Sequence, residues 1–416
     1  MDPVRFYSSI IKRNIKRPEK VEKLIVRGLS IAQLYVSLFK DKRLPESLQY
    51  LNAFCIKSVR DSLAEPQNSA WVNIFSPTEF LIALGVKPLF TEAYSSFMSG
   101  FFIEDDLIDA AEARGISNTL CSYHKTFIGA GELGILKKPR FLITTSTACD
   151  ANIPTFRYLS NKFGAPLCII DVPYKYSKEA VEYVKKQLLD LVKVLEEVFK
   201  RKPDIDKLRE IVRTENRTRA LMKEYLNYVG QKSFIPTMTF EMYMLFASHV
   251  FIGTGEVLNF YQKLLRDIRN APEKRGKSVF FVHLPPLFEK NFKEYFNFSE
   301  KYHIAASDIN YDFLEEIDER DPFGGIAEKL ILSSFNGGID RRASRIRELV
   351  EKIKPDGIIQ FCHLGCKQTI GGTFVIKNLA AEMGIPFLYL DGDCVDKRNN
   401  QEGQNRTRLE AFLEML

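Results

Sequence analysis

Residues 140–173, RFLITTSTACDANIPTFRYLSNKFGAPLCIIDVP, constrain the fold more than any other stretch. A short apolar run at 141–145 is followed by NIPTFRYLSNKFG, with apolar residues at helical spacing, and then by a second apolar run at 167–171. Two such runs joined by a helix form a parallel strand–helix–strand unit, because parallel neighbours need a crossover of about a dozen residues or more. SAWVNIFSPTEFLIALG reads as an earlier strand and then a helix opening at Pro77-Thr78-Glu79. The alternation resumes with SVFFVH at 278–283, HIAASD at 303–308, GIIQF at 357–361 and FLYLD at 387–391. Helical segments such as IDRRASRIRELVEKI and GTFVIKNLAAEMG fill the gaps, so two α/β lobes with parallel sheets are predicted.

Ahead of and between these lobes the pattern is helical. Residues 1–70 form an N-terminal helical segment, 71–176 the first lobe, 177–272 a helical middle with Ser177 as an N-cap, and 273–416 the second lobe. RNAPEKRGK, broken by Pro272 and Gly276, marks the last boundary. The Met- and aromatic-rich stretch IPTMTFEMYMLFASHVFIGTGEVLNF is read as core, with His249 packed rather than ligating. Its GTGE lacks the preceding strand and glycine pattern of a phosphate loop.

At 416 residues the chain exceeds one ordinary core. The net charge of +6 is dispersed, and the basic start VRFYSSIIKRNIKRPEK reads as a solvated helix face, not a nucleic-acid patch. No apolar run approaches the ~18 residues of a membrane span, and no secretory signal opens the sequence, so a cytoplasmic protein is expected. Seven cysteines, an odd number, argue against a disulfide framework and leave core packing, metal binding or catalysis as their uses.

In parallel sheets, ligands bind beyond the carboxyl ends of the strands. Cys149, Cys366 and Cys394 fall there, and Cys121 lies in the polar loop SNTLCSYHKTFIGAG. Cys55 and Cys168 sit inside apolar segments and are assigned to the core. The Cys-x3-Cys spacing of GIIQFCHLGCKQTIGG matches no common zinc template. Thiols from two lobes suggest a shared inorganic centre, although spacing alone equally allows scattered, unrelated cysteines.

The motifs are more specific than the spacings. FSPTEFLIALGVKPLFTE, LCSYHKTFIG, TTSTACDAN, HLGCKQTIGG and DGDCVDKRNNQEGQNRTRLEAFLEML occur in that order. Together they resemble the subunits of 2-hydroxyacyl-CoA dehydratases, which share a superfamily with benzoyl-CoA reductase and the double-cubane cluster proteins. The resemblance implies two flavodoxin- or Rossmann-like lobes and a [4Fe–4S] cluster held by Cys121, Cys149 and Cys366. It also implies a lyase that removes water from a 2-hydroxyacyl-CoA through a ketyl radical, after one-electron activation by a separate ATP-hydrolysing iron–sulfur activator. A homologous second subunit, or a second copy, would complete the complex.

Glu79, His124 and His363 are the candidates for proton transfer or cluster tuning. Each has a plainer reading as a helix-dipole, loop or hydrogen-bonding residue. Cys362 and Cys394 are possible further iron ligands, which would favour a double-cubane reductase. Alternation along the strand instead turns Cys362 toward the core. A benzoyl-CoA-reductase-like subunit and a non-catalytic electron relay are the competing functions.

Overall fold

The computed structural model describes residues 3–234 and 237–416. Ile235 and Pro236, the first two residues of the IPTMTFEMYM stretch, lie outside the described residues, as do Met1 and Asp2. Two four-stranded parallel sheets organise the chain. The first contains β1 (Ser69–Val72), β2 (Lys87–Phe90), β3 (Phe141–Thr145) and β4 (Leu167–Ile170) in the order β2-β1-β3-β4. The second contains β5 (Lys277–Val282), β6 (Tyr302–Ser307), β7 (Gly357–His363) and β8 (Phe387–Gly392) in the order β6-β5-β7-β8. The same winding is thus used twice, and it gives the expected fold: two Rossmann-like α/β lobes joined by helices.

Burial follows strand position. Every residue of β3 and β7 is buried, as required of inner parallel strands covered on both faces. The edge strand β8 alternates between buried and exposed positions, and β4 is only half-buried over Leu167–Ile169. Cys168 on β4 is therefore half-buried, rather than fully enclosed as predicted, because no strand covers its outer edge.

One side chain anchors the helices that carry the first lobe's functional loops. Trp71 on β1 packs edge-on against Phe127 at 4.9 Å and Phe163 at 5.2 Å. Phe127 lies on the helix Ser122–Glu132 and Phe163 ends the helix Asn152–Phe163. Each such aromatic contact contributes about 0.5–1.5 kcal/mol beyond area burial, so the first helix is fixed to the sheet through its middle and the second through its C-terminal end.

The helical middle contains Lys178–Phe199, Ile205–Val229, Met238–Leu245 and Gly255–Asn270. Ser177 caps the first of these by accepting from Ala180 N, and Thr254 of the GTGE stretch caps the last. His249 is packed, with Nδ1 2.8 Å from Ser248 Oγ and Nε2 3.2 Å from Asp312. A buried ionic cluster ties this region to both lobes. Lys329, on the helix Pro322–Leu332, contacts Glu79 and Glu215, and Glu215 also pairs with Arg219 at 2.5 Å. Two cations facing two carboxylates leave little net buried charge, without which such burial would be prohibitive. Cys55 is fully buried on the helix Glu46–Ala64, as expected of a core thiol.

Candidate functional site

Each lobe reverses its strand order around an inner pair: β1 and β3 in the first, β5 and β7 in the second. Ligand clefts form at such points. A cavity of about 90 Å³ lies there, lined by Cys121, Cys149 and Cys366 together with His124, His283 and His363. Three of the chain's seven cysteines and three of its five histidines therefore share one small space.

Each sulfur is placed by backbone rules. Cys121 immediately precedes the helix Ser122–Glu132, and its carbonyl accepts from His124 N and Lys125 N. Cys149 lies beyond β3 at the start of Asn152–Phe163, where Ala151 and Asn152 direct backbone N–H groups at its sulfur. Cys366 heads the short helix Lys367–Ile370 beyond β7. Amide N–H groups at a helix start favour the thiolate over the thiol.

The loops from the two lobes interlock. Gly365 has φ of +77°, and a Cβ there would lie 2.6 Å from both Cys121 N and Thr119 O. Only glycine satisfies both the left-handed backbone and that approach. Gln368 Nε2 donates to Ala148 O at 2.9 Å across the same seam. Ala148 (φ +65°) and His283 (φ +71°) also adopt left-handed conformations at the cavity wall, a concentration of backbone strain typical of functional sites.

Two of the imidazoles are directed at sulfurs. His363 Nδ1 accepts the Cys394 backbone N–H at 3.0 Å, which assigns the ring proton to Nε2. Nε2 lies 3.2 Å from Cys121 Sγ and donates to it. Asp393 Oδ1 is 3.5 Å from His363 Nδ1, but an accepting Nδ1 carries no proton to share. That carboxylate oxygen is occupied by Ser122 Oγ, Val395 N and Asp396 N instead. His124 Nε2 lies 3.4 Å from Cys149 Sγ. Burial lowers His363, lowers His124 to about 4 and takes His283 well below the ordinary imidazole range, so all three are neutral near pH 7.

As free thiols, Cys121 and Cys149 are held protonated. Burial, then the neighbouring Cys366 and Cys149, push Cys121 well up, and burial and Cys366 push Cys149 up to about 12. A bound cation reverses this preference, since metal ligation requires thiolates. Among the described residues, no three His, Cys, Asp or Glu side chains meet closely enough to chelate a single metal ion. A polynuclear cluster does not need that closeness, because each thiolate bonds a different iron. Soft sulfur donors with N–H groups directed at them suit iron–sulfur ligation.

The remaining candidates separate clearly. Cys362 precedes His363 on β7 and faces the other way, toward Thr369 O and Thr373 Oγ1, lining a separate groove. Cys394 is buried and does not line the thiol cavity; its backbone serves His363. Glu79 is engaged by Lys329 in the ionic cluster and is also absent from the cavity wall. Glu92, His283 and Gln368 line the cavity and were not singled out from sequence. Glu92 lies two residues beyond β2, in the first turn of the helix Thr91–Gly100, and burial raises its carboxyl to about 7. His283 follows β5, where the strand-end rule would have found it.

Residues 73–416 match the family model described as 2-hydroxyglutaryl-CoA dehydratase, D-component. The chain belongs to that family. Proteins similar to this chain include both dehydratase and reductase subunits. The (R)-phenyllactyl-CoA dehydratase alpha subunit of Clostridium sporogenes is 23% identical over 407 residues, covering 91% of this chain and 96% of the relative. The (R)-2-hydroxyisocaproyl-CoA dehydratase alpha subunit of Clostridioides difficile is 24% identical, over 88% of this chain and 93% of its own. A benzoyl-CoA reductase subunit of Thauera aromatica is 23% identical, over 74% and 79% respectively. At the level of the D-component family the chain is thus a dehydratase-type enzyme component. Among the described residues, no helix is long and apolar enough to cross a membrane.

Proposed function

We propose that this chain is the cluster-bearing subunit of a 2-hydroxyacyl-CoA dehydratase, converting a 2-hydroxyacyl-CoA to the 2-enoyl-CoA with loss of water. The carrying observation is the convergence of Cys121, Cys149 and Cys366 from two lobes on one cavity. Those three residues would hold a [4Fe–4S] cluster, which, bound by only three thiolates, supplies a Lewis-acidic iron and a one-electron relay.

The chain's own groups do the rest. His363 donates Nε2–H to Cys121 and His124 faces Cys149, so both stabilise thiolate charge without adding a proton at neutral pH. Glu92 is the one carboxylic acid lining the cavity among the described residues. With its carboxyl raised to about 7, it is matched to accept the β-proton of the thioester and return it to solvent. The apolar walls exclude water from the reacting carbons. The electron would come from an ATP-hydrolysing iron–sulfur activator, and the naming of the dehydratase relatives as alpha subunits favours a homologous second subunit as partner.

Anaerobic purification with iron and sulfide analysis, followed by an acyl-CoA assay with the activator, tests this reading. About four irons per chain and 2-enoyl-CoA formation are expected. About eight irons would point to a double cubane. The similarity to the benzoyl-CoA reductase of Thauera aromatica favours a reductase as the second reading; a product with two added hydrogens and no lost water would establish it.

A further inference from the structure

The wall of the thiol cavity also constrains the acyl group. Apart from the sulfurs, the imidazoles, Glu92, Asn152 and Gln368, it is built mainly from apolar side chains, including Phe75, Phe90, Met242, Leu245, Ile309 and Phe335. No Lys or Arg is among its lining residues. Of the nearby cations, Arg342 pairs with Asp308 and Gln368 O, Lys329 with Glu79 and Glu215, and Lys367 with Asp150, while Arg219 pairs with Glu215 and turns its remaining guanidinium nitrogen toward a separate cavity. A carboxylate at the end of an acyl chain would lose its hydration there and find no cation on the wall of this cavity.

Met242 adds a second observation. Its side chain is 2% exposed and lines both this cavity and another of about 210 Å³, whose wall includes Leu29, Phe97, Leu287 and Phe288. An unbranched thioether between two apolar spaces is a deformable partition.

We infer that this site accepts 2-hydroxyacyl thioesters whose acyl group is apolar, excludes those ending in a carboxylate, and has Met242 as the partition at its apolar end. The inference rests on the dehydratase reading for the identity of the thioester, but its test does not require turnover. Binding of 4-methylpentanoyl-CoA, 3-phenylpropanoyl-CoA, propanoyl-CoA and glutaryl-CoA to the anaerobically purified full-length protein is measured by calorimetry. None has a 2-hydroxyl group to eliminate, and the shared CoA moiety cancels in the comparison. The first two are expected to bind at least about tenfold more tightly than propanoyl-CoA, and at least about 100-fold more tightly than glutaryl-CoA. M242A is expected to raise affinity for octanoyl-CoA about tenfold by joining the two spaces, with glutaryl-CoA still excluded.

Equal affinities, tighter binding of glutaryl-CoA, or no binding of any of the four would overturn the acyl preference, and an M242A affinity for octanoyl-CoA equal to that of the unsubstituted protein would overturn the partition. The expected order without turnover of the 2-hydroxy counterparts in the presence of the activator would remove the dehydratase reading and leave the acyl preference standing. Turnover with the opposite order would do the reverse.

Discussion

Cys149 follows β3 in the first lobe and Cys366 follows β7 in the second, each at the start of a helix and each beyond the inner strand at which its sheet reverses order. The connections before these strands differ. Between β2 and β3 the first lobe carries Cys121 and His124. Between β6 and β7 the second carries the helices Pro322–Leu332 and Ile339–Ile353, which contain no cysteine and supply Lys329 and Arg342. Equivalent backbone positions thus supply one sulfur each, and the non-equivalent connections divide the other tasks. One provides the third sulfur and the other braces the seam.

The largest expected effect tests that equivalence. C149S and C366S should each abolish cluster retention, as should C121S, beyond the ~10–100-fold loss that follows removal of an outer hydrogen bond. Anaerobic iron and sulfide analysis of each variant checks this. A cluster that survived one substitution would break the symmetry and remove that residue from the ligand set.

Removing the brace comes next. K329M should cost about 3–5 kcal/mol in chemical denaturation, because it leaves Glu79 and Glu215 buried with one cation fewer. Part of the loss should be recovered on acidification, as those carboxyls take up protons. G365A, which puts a Cβ against the Cys121 backbone at a positive φ, should cost about 2–4 kcal/mol. An unchanged denaturation midpoint would show that the lobes do not need this close approach.

The imidazoles distinguish positioning from mere packing. H363L, which has no N–H donor toward Cys121, should weaken cluster retention about 10–100-fold and shift its reduction potential. An unaltered potential would make His363 a structural residue. The smallest effect concerns Glu92. Its folded-state value of about 7 lies above the ordinary 4.5, so the native state binds the proton more tightly, and stability falls as pH rises through that window. A tenfold difference in proton affinity between the folded and unfolded states corresponds to about 1.4 kcal/mol. E92Q should flatten the pH dependence of the denaturation midpoint between those values without levelling it, because Glu241 is likewise raised to about 7 by burial.

The sequence revealed the double α/β plan because parallel strands covered on both faces read as unbroken apolar runs, as at Phe141–Thr145 and Gly357–Phe361. β2 escaped notice because KPLF is four residues long, includes Pro88 and follows directly on helical periodicity. That omission hid Glu92, whose place beyond a strand end was invisible without the strand. The convergence of cysteines followed from the same strand-end rule, but the rule did not separate Cys366 from Cys394. The separation depends on sheet order. β8 is an edge strand, so the loop after it lies beside the cleft rather than over it. Alternation along β7 explains why His363 faces the cavity and Cys362 does not.

The seam at Gly365 also sets a timetable for biogenesis. Cys121 and the His363 that donates to it are 242 residues apart, and β8 and the helix Glu402–Met415 complete the second sheet only at the end of the chain. A nascent polypeptide on the ribosome would present Cys121 and Cys149 long before their counterpart exists. Under the proposed cluster reading, metal loading would be a late step, open only once the two halves have met, and retained iron would report that this encounter took place.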